Sequence, residues 1–214
     1  MYRVIFSSIS KKFVMALAGM FLLLFLPVHL MINLKLLNSN PELFNKAAHF
    51  MATFAPIKIF EIILFGALLI HIISGITLQI QNWIARPIRY KMAHKSTTSF
   101  FSKFMIWTGG TIFIFIIIHF TNFYFIKLGF IEGDPENFYA VAHQLFSIPG
   151  YRIFYWICFI VLGFHLFHAF SSAFQTLGLN HRIWTPVVNL LAFIYAILIP
   201  AGFASIPLII WLFK

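Results

Sequence analysis

Acidic residues are nearly missing from this sequence. Five Asp and Glu stand against 15 Lys and Arg in 214 residues, and charged side chains of both signs make up only 9%. A soluble globular domain carries about 25% charged residues, so that class is excluded. A disordered chain is excluded as well, because disorder needs low hydrophobicity and 61% of this chain is hydrophobic. Cysteine occurs once, as Cys158, which rules out an intrachain disulfide and any cysteine-based metal cage. The formal charge of +10 would suggest a nucleic-acid partner on a soluble protein. In so apolar a chain it reads as membrane topology, with Lys and Arg sorted to one side. No nucleic-acid partner is expected.

A transmembrane helix needs about 20 mainly apolar residues, and five segments qualify. They run about 13–37, 57–83, 102–127, 151–176 and 186–213. The expected fold is all-α: an integral membrane bundle of five spans, one domain over residues 1–214. Breakers and charges fall between the spans, at Asn38-Ser39-Asn40-Pro41, Arg86-Pro87, Gly133-Asp134-Pro135 and Gly178-Leu179-Asn180. Pro200 and Pro207 are expected to kink the fifth span. The charged start leads into a full-length helix without a small-residue cleavage pattern, so no cleavable signal peptide is expected.

Charge sets the expected orientation. The side holding the amino terminus carries Arg3, Lys11, Lys12, Arg86, Arg89, Lys91, Lys95, Lys103 and Arg182, and no acid. The other side carries Lys35, Lys46, Lys58, Lys127, Arg152 and Lys214 together with all five acids. The positive-inside rule then places the amino terminus in the cytoplasm. Trp83, Trp107 and Trp184 fall near one interface, and Trp156, Trp211, Tyr124 and Tyr151 near the other, as an aromatic belt requires.

Nine histidines in such a chain are the unusual feature. An ionisable residue inside a membrane is costly and points to function. Five lie within spans: His29, His71, His119, His165 and His168. The first and third spans run outward, and His29 and His119 each fall about 24–26 Å from their inner ends. The second and fourth run inward, and His71 and His165 each fall about 21 Å from their outer ends. The four therefore form two pairs at two depths, separated by roughly 10–15 Å along the normal. Two imidazoles from facing helices suit the two axial positions of haem iron in a bundle core. Such six-coordinate iron suits electron transfer. A zinc site would need four close ligands, and the Cys and acid partners are lacking.

Small residues recur around these positions. Gly75 follows His71, and Ala169 follows His165, one turn on along the same face. Gly19 precedes His29 by ten residues and Gly109 precedes His119 by ten, which puts both glycines about 15 Å inward, near the other pair. A flat macrocycle needs such gaps, although small residues also pack transmembrane helices. His168 shares a face with His165 and competes for its role. His165 matches the depth of His71 better and is the expected ligand, leaving His168 as a supporting or edge contact. His49, His94, His143 and His181 are expected in loops. Glu61 is the lone acid within a span, ten residues before His71 and so about 15 Å further outward. It is either a proton-exchanging group or an interfacial acid paired with Lys58. Lys12, Lys103, Gln79, Asn82, Gln175 and Arg182 are candidate partners for propionates at the inner end.

An ordered set of motifs now resembles a known family. It comprises Ser7-Ser8-Ile9-Ser10-Lys11-Lys12, the run His29-Leu30-Met31-Ile32-Asn33-Leu34, the stretch Asn82-Trp83-Ile84-Ala85-Arg86-Pro87-Ile88-Arg89-Tyr90, and Trp107-Thr108-Gly109-Gly110. It closes with Gly163-Phe164-His165-Leu166-Phe167-His168-Ala169-Phe170 and Ser172-Ala173-Phe174-Gln175-Thr176-Leu177-Gly178. Over nearly the whole chain the set is similar to the cytochrome b membrane-anchor subunit of succinate dehydrogenase and fumarate reductase, of the single-chain type with five helices and two haems. Ala169 departs from a frequent glycine there. The resemblance implies two haem b groups, with His29 and His119 on the outer iron and His71 and His165 on the inner iron. It implies an iron–sulfur subunit and a flavoprotein docked on the basic face, and a membrane quinone, menaquinone, as substrate, with Glu61 near its site. It also implies a bacterial cytoplasmic membrane. Two rivals remain: a di-haem anchor of another respiratory enzyme such as a hydrogenase or formate dehydrogenase, and a haem-free transporter with a histidine proton relay.

Overall fold

The computed structural model describes residues 8–85 and 104–213. Over these the chain forms seven helices and no strand. Helix α1 covers Ser8–Asn33 and tightens into a 3-10 turn over Leu34–Leu37; α2 is Pro41–Thr53, and α3 is Ala55–Ala85. Helix α4, Met105–His119, widens into a π turn over Phe120–Tyr124 and ends in a last α turn at Phe125–Lys127. Then come α5 (Phe138–Ser147), α6 (Pro149–Thr176) and α7 (Trp184–Phe213).

Five of these, α1, α3, α4, α6 and α7, are long and apolar enough to cross a membrane. This is a multi-pass membrane architecture, in which helices satisfy every backbone group that lipid cannot. The spans begin and end within about four residues of the sequence expectation. Contacts alternate in direction: Glu61 meets Tyr124 and Phe65 meets Phe120, while Thr108 meets His165 and Phe115 meets Phe159. Helices α1 and α7 run parallel, with Leu23 facing Tyr195 and Leu30 facing Gly202. Below, the near side is where α1 begins and the far side is where it ends.

Helix α7 carries no histidine and acts as the scaffold. Its buried face mixes small or bent positions, Ala192, Ala196, Pro200 and Pro207, with Ile199, Phe203, Ile206 and Ile210. Proline removes an N–H and frees the carbonyl four residues earlier. For Pro200 that carbonyl is Ala196, and Gly163 of α6 backs against it so closely that an added Cβ would lie 2.9 Å away. One residue past the carbonyl freed by Pro207, Ala204 accepts a hydrogen bond from the Trp156 indole at 3.1 Å. The Tyr195 hydroxyl donates to the Leu23 carbonyl, tying α7 to α1 as well. Contact by small residues is how helices approach where lipid supplies no hydrophobic drive.

Two short helices that the sequence reading treated as linkers cap the far side. Asn40 caps α2 by accepting from the Glu42 N–H, with Pro41 in the first turn; Asn137 caps α5 by accepting from the Ala140 N–H. The caps lock to each other: the Asn45 amide donates to Asn137 Oδ1 at 2.9 Å, and Asn45 Oδ1 accepts from the Tyr139 N–H at 3.0 Å. Phe44, Ala142 and Phe146 are buried against the bundle. His49 and His143 therefore sit on helices, not in loops; His143 reaches the Leu36 carbonyl and stacks on Tyr139. His181 lies in a loop as expected. Arg3, Arg86, Arg89, Lys91, Lys95, Lys103, Lys214 and His94 fall outside the described residues.

Candidate functional site

The four histidines of matched depth meet two by two. On the far side, His29 of α1 and His119 of α4 approach with ring centres 5.9 Å apart and planes at 89°. Each ring lies on a phenylalanine one turn earlier in its own helix. Phe25 stacks on His29 at 5.0 Å and Phe115 on His119 at 5.6 Å, both with planes inclined by 24°. The Asn33 amide donates to the His29 carbonyl at 2.8 Å, and its nitrogen is 3.4 Å from His29 Nδ1. His119 Nδ1 is buried with no hydrogen-bond partner.

On the near side, His71 of α3 and His165 of α6 approach with ring centres 6.3 Å apart and planes at 77°. Of the two α6 histidines, it is His165 whose ring meets His71; His168 lies one turn nearer the near side, part-buried. His71 Nδ1 is 3.3 Å from the Met15 carbonyl. A carbonyl only accepts, so Nδ1 carries the proton and Nε2 keeps its lone pair. His165 Nδ1 is 3.2 Å from the Thr108 hydroxyl.

The glycines lie beside these rings. A Cβ built on Gly19 would stand 3.3 Å from His71 Nδ1 and Cε1, and one on Gly109 would stand 3.6 Å from His165 Cε1. Both glycines thus belong to the level of the near-side pair, ten residues below His29 and His119. That places the two levels about 15 Å apart along the helices. Gly75 faces Met15, with ordinary clearance, and Ala169 is part-buried one turn past His165.

Glu61 does not pair with Lys58 as the sequence suggested. Its carboxylate accepts from Lys127 Nζ at 2.9 and 3.0 Å and from the Tyr124 hydroxyl at 2.7 Å. Lys127 also sits over the Tyr124 ring, 5.2 Å from its centre. The π turn that directly follows His119 leads into this pair, and such turns recur at functional sites. Lys127 also lines a cleft of about 190 Å³ under α2, with Asn45, His49, Thr53, Glu136 and Phe138.

Among the described residues no three His, Cys, Asp or Glu side chains converge as a metal cage. Each pair offers a metal two imidazoles, so further donors must arrive with the ligand, as they do in haem. Two imidazoles bound to one metal at about 2 Å per nitrogen have ring centres roughly 6 Å apart, and both pairs match. An edge-to-face aromatic contact covers the same range. What tips the balance is that the contact recurs between different helices at two depths, together with Gly19, whose missing side chain leaves room beside the His71 ring. No family model, curated protein or solved structure matches the chain.

Proposed function

We propose that this chain is a di-haem cytochrome b that anchors a succinate:quinone oxidoreductase and carries electrons between an iron–sulfur subunit and a membrane quinone. The observation that carries the reading is the pairing of four intramembrane histidines, two at each of two depths, at ring spacings of 5.9 and 6.3 Å. His29 and His119 would hold the far-side haem b, and His71 and His165 the near-side one. Bound haem supplies one-electron storage at each level. The protein's part is to hold the imidazoles, keep Nε2 of His71 free of its proton through the Met15 carbonyl, and keep bulk away from the His71 ring at Gly19. The assignment to this enzyme class rests on the sequence resemblance.

Quinone chemistry, with menaquinone the expected substrate, falls at the far side. There Glu61 is held by Lys127 and Tyr124 beside the cleft under α2. The basic near side, in the cytoplasm of a bacterium by the charge rule, is the docking face for the iron–sulfur subunit and its flavoprotein. The test is an absorption spectrum of the detergent-purified chain, with a haem count. Two reduced b-type haems per chain are expected, and a haem-free chain would sink the reading. Copurification separates the rival anchor: a flavin-bearing partner supports the proposal, and a nickel- or molybdenum-bearing one replaces it.

A further inference from the structure

The two near-side histidines are held by different kinds of group. His71 Nδ1 meets the Met15 carbonyl, part of the α1 backbone. His165 Nδ1 meets the Thr108 hydroxyl, a side chain on the neighbouring helix α4. Thr108 has one hydroxyl hydrogen, and the Met105 carbonyl lies 3.0 Å away to take it. Its oxygen is then left to accept from His165. The chain of donors runs from His165 Nδ1–H to the Thr108 oxygen, and from the Thr108 hydrogen to the Met105 carbonyl. That direction puts the proton on Nδ1 and leaves Nε2 as the free lone pair. The residue after Thr108 is Gly109, which also lies beside the His165 ring. On the far side, by contrast, His119 Nδ1 has no partner.

We propose that Thr108 is a positioning residue for His165: its hydroxyl fixes the ring's tautomer and tunes the near-side group from outside the metal's own ligand set. The proposal rests on the di-haem reading above. A hydrogen bond accepted from the distal imidazole nitrogen makes the ligating nitrogen a stronger donor, which favours the oxidised metal. Removing it raises the midpoint potential.

The test uses the full-length chain purified in detergent, in a His29→Ala background so that only the near-side haem titrates. Thr108→Val keeps the shape and removes the acceptor; Thr108→Ser keeps the acceptor. The expected result for Thr108→Val is a shift of the redox equilibrium toward the reduced form by about ten-fold, 59 mV for a one-electron couple, with Thr108→Ser close to the parent. Loss of the near-side haem in Thr108→Val, with retention in Thr108→Ser, supports the same role through binding. The proposal is overturned if Thr108→Val titrates like the parent, or if both variants shift or lose haem alike. A wild-type chain without haem overturns the di-haem reading itself, whereas two bound haems with an unresponsive Thr108→Val overturn only the role of Thr108.

Discussion

Each near-side histidine has two things beside it: a partner for its Nδ1 and a glycine on a neighbouring helix. The matched depths were legible from counting residues along four spans, because helical rise is fixed. The partners were not. Met15 and Thr108 look like ordinary apolar-span residues until α1 and α4 are set beside α3 and α6. Glu61 shows the same limit. Sequence offered Lys58 three residues away, yet Lys127 is 66 positions on. Both Glu61 and Lys127 lie close to the far ends of their spans, so a comparison of depths would have found the pair. Two outcomes follow at this scale. Replacing His71 or His165 by alanine should lose only the near-side haem, and replacing His29 or His119 only the far-side one; a halved haem content with a distinct remaining spectrum is the readout. Gly19→Val should act like His71→Ala, because its first side-chain atom already stands 3.3 Å from the His71 ring and a branched one must push it. Retention of both haems in that variant would show that the clearance beside His71 is incidental.

At the scale of elements, hydropathy found five helices and missed two. Helices α2 and α5 are 13 and 10 residues long, too short and too mixed for a membrane window. Their starts were visible all the same. Asn40-Pro41-Glu42 is an N-cap, a proline in the first turn and an early acid, and it was read as a breaker. Asn45 joins the two caps through both ends of its amide. Asn45→Ala should therefore loosen both, at a cost of about 1–3 kcal/mol for the unsatisfied partners. Faster amide exchange over residues 138–147, with α6 unchanged, is the signature to look for. Both prolines of α7 lie within the single helix from Trp184 to Phe213, and at Pro200 the freed Ala196 carbonyl is approached by Gly163 of α6. Gly163→Ala should cost about 1–3 kcal/mol by overpacking, read as a lower unfolding temperature, because the obstacle 2.9 Å away is a backbone carbonyl that cannot rotate aside.

Part of the pattern repeats: Gly19, Phe25 and His29 recur 90 positions later as Gly109, Phe115 and His119, and His71 recurs 94 later as His165, with a small residue four on in each case, Gly75 and Ala169. Asn45 and Asn137, 92 apart, join the two halves at the cap. Each half supplies one histidine to each level, so neither pair exists until the halves meet, and α7 contacts both α1 and α6. The levels stand about 15 Å apart, one toward the basic near side and one toward Glu61 and the cleft under α2. Under the function proposed above, electrons that enter from a partner docked on the basic side would reach the His71–His165 level first and the quinone end last. In the intact complex, His71→Ala should leave a far-side haem that a chemical reductant still reduces but succinate does not. His119→Ala should leave a near-side haem that succinate still reduces, while quinone turnover is lost. If succinate reduces the far-side haem equally well without the near-side one, electrons do not run through the two levels in series, and the docking face has been assigned to the wrong end.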